Sequence, residues 1–445
     1  MLSGLMRYIS PKVLPVGPDG VIPSSIQEGN EAMFDTLSDY ASNPNIGTSN
    51  DSIIQVMRMS NDSISLVSHF HDFLPKISIE SISYDSLFQK ELTRRISQSR
   101  TKRVHILYFG DSQIESDHIT STLRHILQAK YGGKGAGFLP VKDIYNSMEG
   151  FIVEKSSGWT NSRIYDKNNS DPFSPLANYS KVQMSNASLL VNQISGTHKT
   201  SLSNLEVYYS AEDNKSEIKI ATSGNNYQEV TLPSSQEPRI QNIKLNGTPS
   251  SLKLLFLPGK NMKIHGVFLG SGPGVYVDNI SLRGQIIPHL QKVPKLYLSN
   301  FMKENNVGLI VLQFGVNLVP GMLKSYRFYT RMLKKQIELI RAADPRVPIL
   351  VVGVSDMAKR SGTSLESYPN LQDVKKAQAE VAKEAGIAFW DLEREMGGKN
   401  SMIRWVGSCP SLGTKDYIHF NRLGADSVGR MLSKALLIPL NKKKD

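Results

Sequence analysis

Val104-His105-Ile106-Leu107-Tyr108-Phe109 is a short run of β-branched, aliphatic and aromatic residues that stops at Gly110-Asp111-Ser112-Gln113. A helical pattern follows from Asp117 to Lys130. Strand, tight turn and helix in that order make the opening unit of an α/β fold. The turn brings the Ser112 hydroxyl and backbone N–H groups close to a helix N-terminus, where negative charge is stabilised. Taken alone, Ser112 is better read as an ordinary helix cap.

The same rhythm continues on both sides. Ser86–Ser99 reads as a helix before the strand. Further on, Val307–Phe314 and Val347–Val354 are apolar runs of strand length, and Ile387–Leu392 is a shorter one. Between and after them, Lys324–Ala343, Leu371–Ala385 and Arg422–Leu436 carry helical patterns. Strands alternating with helices predict a doubly wound, mainly parallel sheet. Residues 151–271 break the rhythm. Ser188–Gln193, Leu205–Ser210, Glu217–Thr222, Ser251–Phe256 and Lys263–Leu269 alternate at strand period, and turn-forming clusters such as Asn214-Lys215, Gly224-Asn225-Asn226 and Asn246-Gly247 separate them. This spacing predicts a β-sandwich inserted into the α/β domain. The expected organisation is therefore an irregular leader over 1–84 with one helix near Glu31–Tyr40, an α/β domain from 85–150 and 272–440, and the insert over 151–271.

At 445 residues the chain has room for two or three such units. No apolar run reaches the length that spans a bilayer. The 52 Lys and Arg against 40 Asp and Glu give a net charge of +12. The basic residues are dispersed, apart from Lys442-Lys443-Lys444, and no zinc-finger, RRM or P-loop pattern occurs, so no nucleic-acid partner is expected. A basic surface suits an anionic envelope polymer. The single cysteine, Cys409, excludes an internal disulfide. The first twenty residues lack the basic start and apolar stretch of a secretory signal, so the expected location is cytoplasmic, or periplasmic or envelope-bound if a leader lies outside the numbered sequence.

In open α/β sheets, ligands meet the carboxyl ends of the strands. Asn317, in Gln313-Phe314-Gly315-Val316-Asn317, follows one such end and could offer an amide to an oxyanion, or simply make a turn. Asp416 and His419, in Asp416-Tyr417-Ile418-His419, precede the last helix, where a carboxylate three residues away can orient an imidazole, or simply make a helix N-cap with a solvated histidine. No metal or cofactor is expected. His118 and His125 lie at i and i+7 without a carboxylate-rich partner set, and Ser68-His69-Phe70-His71-Asp72 has no nucleophile-bearing turn beside it.

Ser112, Asn317 and the Asp416/His419 pair, in that order and spacing, resemble the SGNH (GDSL-like) hydrolases over about residues 85–150 and 272–437. The similarity is greatest to bacterial envelope members that act on peptidoglycan O-acetyl groups, the O-acetylesterases and O-acetyltransferases. In those proteins GDSH-I-Q-x-D is the usual opening, and a small carbohydrate-binding-like β-domain interrupts the catalytic domain. Here the opening is Gly110-Asp111-Ser112-Gln113-Ile114-Glu115-Ser116-Asp117, with Gln113 in place of the histidine, and Gly135-Ala136-Gly137-Phe138 matches the glycine-rich stretch that follows. Tyr276–Gly284 best matches the element carrying the family's second glycine. The resemblance implies Ser112 as nucleophile, His419 as base, Asp416 as its orienting carboxylate, and an oxyanion hole from Ser112, Gly284 and Asn317. It implies an acetylated glycan as substrate, with acetyl transfer or glycan binding without turnover as alternatives. It also implies that Ser355-Asp356-Met357, Phe389-Trp390-Asp391-Leu392 and Met396-Gly397-Gly398 are structural or line the pocket wall.

Overall fold

The structure is a computed structural model. It describes residues 82–441, apart from residues 116 and 186 and the stretches 142–146, 149–150, 194–203, 223–225 and 246–248. All described residues fall in one unit of the chain, Ile79–Asp445. The expected helix near Glu31–Tyr40, the Ser68–Asp72 cluster, Ser116 and the terminal lysines lie outside the described residues.

The α/β layer is built on a six-stranded mixed sheet in the order Ile82–Ser83, Ala388–Trp390, Ile349–Val352, Val307–Gln313, Arg103–Gly110, Gly274–Ser281. The four pairings among the last five strands are parallel, and Ile82–Ser83 runs antiparallel to Ala388–Trp390. Val307–Gln313 (VGLIVLQ) is buried at every position, as a strand flanked on both edges and covered on both faces requires, and this is why it reads as an unbroken apolar run. The register sets Gly110 opposite both Ser281 and Gln313, Gln313 opposite Val352, and Val352 opposite Trp390. Five carboxyl ends thus finish at one level, and the segments that leave them form a single rim.

Helices continue from those strands. His118–Tyr131 follows the Gly110–Ile114 turn, and Arg327–Ala343, Leu371–Glu384 and Arg422–Asn441 lie within a residue or a few of their expected starts. The last helix runs five residues past its expected end, through Pro439. At its start a glycine is obligatory: a Cβ on Gly424 would lie 1.8 Å from the Leu412 carbonyl oxygen. This close approach fixes the helix against the loop that precedes it. No helix among the described residues is long and apolar enough to cross a membrane.

The β-rich region forms two antiparallel sheets and fits an inserted domain. One has the order Tyr227–Leu232, Ser216–Ala221, Ser251–Leu257, Ala187–Gln193, Phe151–Lys155, Ser147–Met148; the other runs Ser235–Lys244, Asn204–Ala211, Lys263–Ser271, Asn178–Val182, Trp159–Arg163. Their inner faces share one core that includes Val191, Val207, Ile218, Leu254 and Val267. Ser251–Leu257 shows the alternation directly, with Leu252, Leu254 and Phe256 buried and Lys253 exposed. Lys134–Leu139, the glycine-rich stretch of the first α/β segment, pairs with Lys263–Ser271 and so joins the second of these sheets. Asp278 stitches it to the central sheet: its carboxylate accepts from Phe138 N at 2.8 Å and contacts His105 Nδ1 at 2.7 Å.

Candidate active site

Ser112 opens a single 3₁₀ turn, Ser112–Ile114, at the end of Arg103–Gly110. Asp111 caps that turn, its Oδ1 accepting from Gln113 N at 3.1 Å, and Asp111 N donates to the Gln313 carbonyl of the neighbouring strand at 3.2 Å. Gly110 has little room for a side chain, since a Cβ would lie 2.9 Å from Ile114 Cδ1 and 3.0 Å from Gln313 O. Burial pushes the Asp111 carboxyl up to about 7, against the pull of the Gln113 N–H, the His419 imidazole and the backbone N–H groups of Gly315 and Val316.

The sequence-distant partners converge on this turn. Ser112 Oγ lies 2.8 Å from His419 Nε2. His419 Nδ1 lies 2.6 Å from Asp416 Oδ2. The carboxylate is held by its own loop, with Asp416 Oδ1 accepting from Thr414 Oγ1 at 2.5 Å, Ile418 N at 2.9 Å and His419 N at 3.0 Å. Tyr417, between them, takes the left-handed backbone conformation (φ 59) that turns the loop tightly enough for these bonds. Burial opposes charge on both groups, but their mutual hydrogen bond prevails. Asp416 is held well below the usual carboxylate range, helped by Thr414, and His419 is raised above its ordinary 6.5. Both side chains remain open to water, at 45% and 38% exposure.

Two further loops flank the turn. Leu282 N donates to the Gly110 carbonyl at 2.7 Å, which brings the segment 282–285 over the strand end. Gly284 adopts φ +76 with open space where a Cβ would stand. Asn317 Nδ2 donates to the Gln285 carbonyl at 3.1 Å, tying the two loops together. An amide nitrogen carries two donors, so one remains for another acceptor. The sequence-predicted Ser112, His419 and Asp416 are thus in hydrogen-bond series, and Gly284 and Asn317 sit on adjoining loops joined through Gln285. Sequence reasoning missed Thr414, whose hydroxyl braces Asp416 and whose signal is its place two residues before it. It also missed the role of Asn421, which accepts from Gly424 N at 3.0 Å at the start of the last helix and donates to the Ser411 carbonyl at 2.6 Å, closing the loop.

No family model matches the chain, and no curated protein matches it either. Among solved structures, a peptidoglycan O-acetylesterase is similar at 19% identity over 81% of this chain and 99% of that one, with a TM-score of 0.65. A family two carbohydrate esterase from Cellvibrio japonicus aligns at 9% identity over 65% of this chain and 98% of its own, with a TM-score of 0.25. A carbohydrate binding module from Cellvibrio mixtus lichenase 5A, in complex with cellotriose, aligns at 8% identity over 27% of this chain and 90% of its own, with a TM-score of 0.19. The last two scores are too low to bear on the fold. The resemblance read from the motifs and the likeness in three dimensions meet on one fold, that of a peptidoglycan O-acetylesterase.

Proposed function

We propose that this chain is a serine esterase that removes O-acetyl groups from a carbohydrate, with an envelope glycan such as peptidoglycan as the substrate class. The observation that carries the reading is the contact series Ser112 Oγ–His419 Nε2–Asp416 Oδ2, at 2.8 and 2.6 Å. In this reading His419 takes the Ser112 proton as the hydroxyl attacks the acetyl carbonyl, and Asp416 stabilises the imidazolium that forms. The new charge on the carbonyl oxygen is met by the Ser112 and Gly284 N–H groups and by the free donor of Asn317. As the tetrahedral intermediate collapses, the sugar oxygen leaves with the proton from His419 Nε2, and acetyl stays on Ser112. Water, deprotonated by the same imidazole, then releases acetate and restores the hydroxyl. We also read the parallel strands and their helices as a doubly wound sheet, in which the carboxyl-end rim is the expected ligand side.

The test is acetate release from O-acetylated peptidoglycan by the whole chain, compared with Ser112→Ala. Release by the wild type and none above background by the variant supports the reading. Equal release by both would overturn it.

A further inference from the structure

Two consecutive residues of the nucleophile turn hold two consecutive residues of the histidine loop. Ser112 Oγ meets His419 Nε2 at 2.8 Å, and Gln113 Nε2 donates to the Ile418 carbonyl at 3.0 Å. Gln113 is buried, and the chemistry of its partners fixes its orientation. The Ile418 carbonyl can only accept, so the amide nitrogen must face it. The second N–H of that nitrogen goes to Ser355 Oγ at 2.8 Å. Gln113 Oε1 then accepts from Gln313 Nε2 at 3.3 Å, and Gln313 Oε1 accepts from the Tyr108 hydroxyl at 2.5 Å. A directional chain therefore runs from the ends of two central strands, through Gln113, to the backbone beside the imidazole. A neutral histidine at 113 would carry a single N–H and serve one of the two acceptors. Asp416 and Thr414, by contrast, belong to the same loop as His419. They orient the ring within that loop and do not set its distance from Ser112.

We propose that Gln113 is a positioning residue that sets the Ser112–His419 distance by anchoring the Ile418 carbonyl to the nucleophile turn. This rests on the esterase reading above. Gln113→Met keeps the length of the side chain and removes both donors. With p-nitrophenyl acetate, its kcat falls about tenfold to a hundredfold while KM stays within about twofold, as a displaced base requires. The pH midpoint of its activity does not move, because the Asp416–His419 pair lies within one loop. Tyr108→Phe removes the far end of the chain and leaves both Gln113 donations; its thermal midpoint falls while kcat stays within about threefold. Gln113→His, with one donor, recovers part of the kcat lost in Gln113→Met.

Three results would overturn the proposal: Gln113→Met with kcat near wild type, a loss confined to KM, or a Tyr108→Phe loss as large as that of Gln113→Met. Ser112→Ala separates the two levels. If it turns over at the wild-type rate, the esterase reading fails and the positioning role with it. If it is inactive while Gln113→Met is normal, this inference alone fails.

Discussion

Asp117 and Arg124, seven residues apart, form a two-pronged ion pair just after the Ser112–Ile114 turn: Oδ1 to Nη2 at 2.8 Å and Oδ2 to Nη1 at 3.0 Å. Each residue is 1% exposed. The guanidinium also donates to the Val277 carbonyl from Nε and Nη2, so it joins the helix His118–Tyr131 to the strand Gly274–Ser281. Removing one partner leaves the other charge buried. Arg124→Ala is expected to lose about 3–5 kcal/mol of unfolding free energy. Lys335→Ala, which breaks the exposed pair with Glu338, should lose at most about 1 kcal/mol. Urea denaturation of the two variants checks the contrast.

Asn317 tests the oxyanion assignment. Replacing it with alanine should lower kcat about 10²- to 10³-fold, a loss of about 2.7–4 kcal/mol, with little change in KM. Steady-state kinetics on p-nitrophenyl acetate measures both constants. A loss confined to KM would assign Asn317 to substrate binding instead.

The pH dependence has a definite sign. In the proposed mechanism His419 must be neutral to accept the Ser112 proton. Burial lowers its pKa, but the hydrogen bond it donates to the Asp416 carboxylate outweighs burial and leaves the pKa above 6.5. Activity should therefore fall as pH drops, with a midpoint above 6.5. Asp416→Asn removes the raising influence, so the midpoint should move to lower pH while kcat falls roughly 10⁴-fold. A kcat/KM profile from pH 4 to 9 reads both effects.

Gly137 tests the seam between the central sheet and the insert. It adopts φ +84, and a Cβ there would lie 2.5 Å from Asp278 Oδ1. Asp278 is fully buried and holds Phe138 N and His105 Nδ1. Gly137→Ala should therefore cost about 1–3 kcal/mol of stability through backbone strain and a displaced carboxylate. The urea midpoint should fall with an unchanged m-value.

Much of this arrangement was legible from residue pattern. Val104–Phe109 and Val307–Phe314 announced themselves because buried parallel strands need apolar side chains on both faces, and they appear as Arg103–Gly110 and Val307–Gln313. The insert's strands Ser188–Gln193, Leu205–Ser210, Ser251–Phe256 and Lys263–Leu269 appear within two residues of their expected bounds. Tyr227–Leu232 and Ser235–Lys244 were not legible. They are edge strands, exposed at many positions, and the second contains Pro238 and a register shift between Ser235 and Arg239. The hairpin Ala358–Ser361 with Ser364–Ser367 is largely polar and was missed for the same reason. The pairing of Lys134–Leu139 with Lys263–Ser271 was hidden because partners more than a hundred residues apart leave no local trace. At the site, Ser112, Asn317, Asp416 and His419 stood out through order and spacing. The Gln113–Ile418 bond did not, because it depends on how two loops dock.

The most direct measurement is the intact mass of the protein quenched during turnover of an acetyl ester, followed by peptide mapping. An acetyl-enzyme formed on Ser112 gives one added acetyl group, carried by the peptide containing Ser112, and none on Ser112→Ala. An acetyl group on another residue, or undiminished turnover by Ser112→Ala, would contradict it.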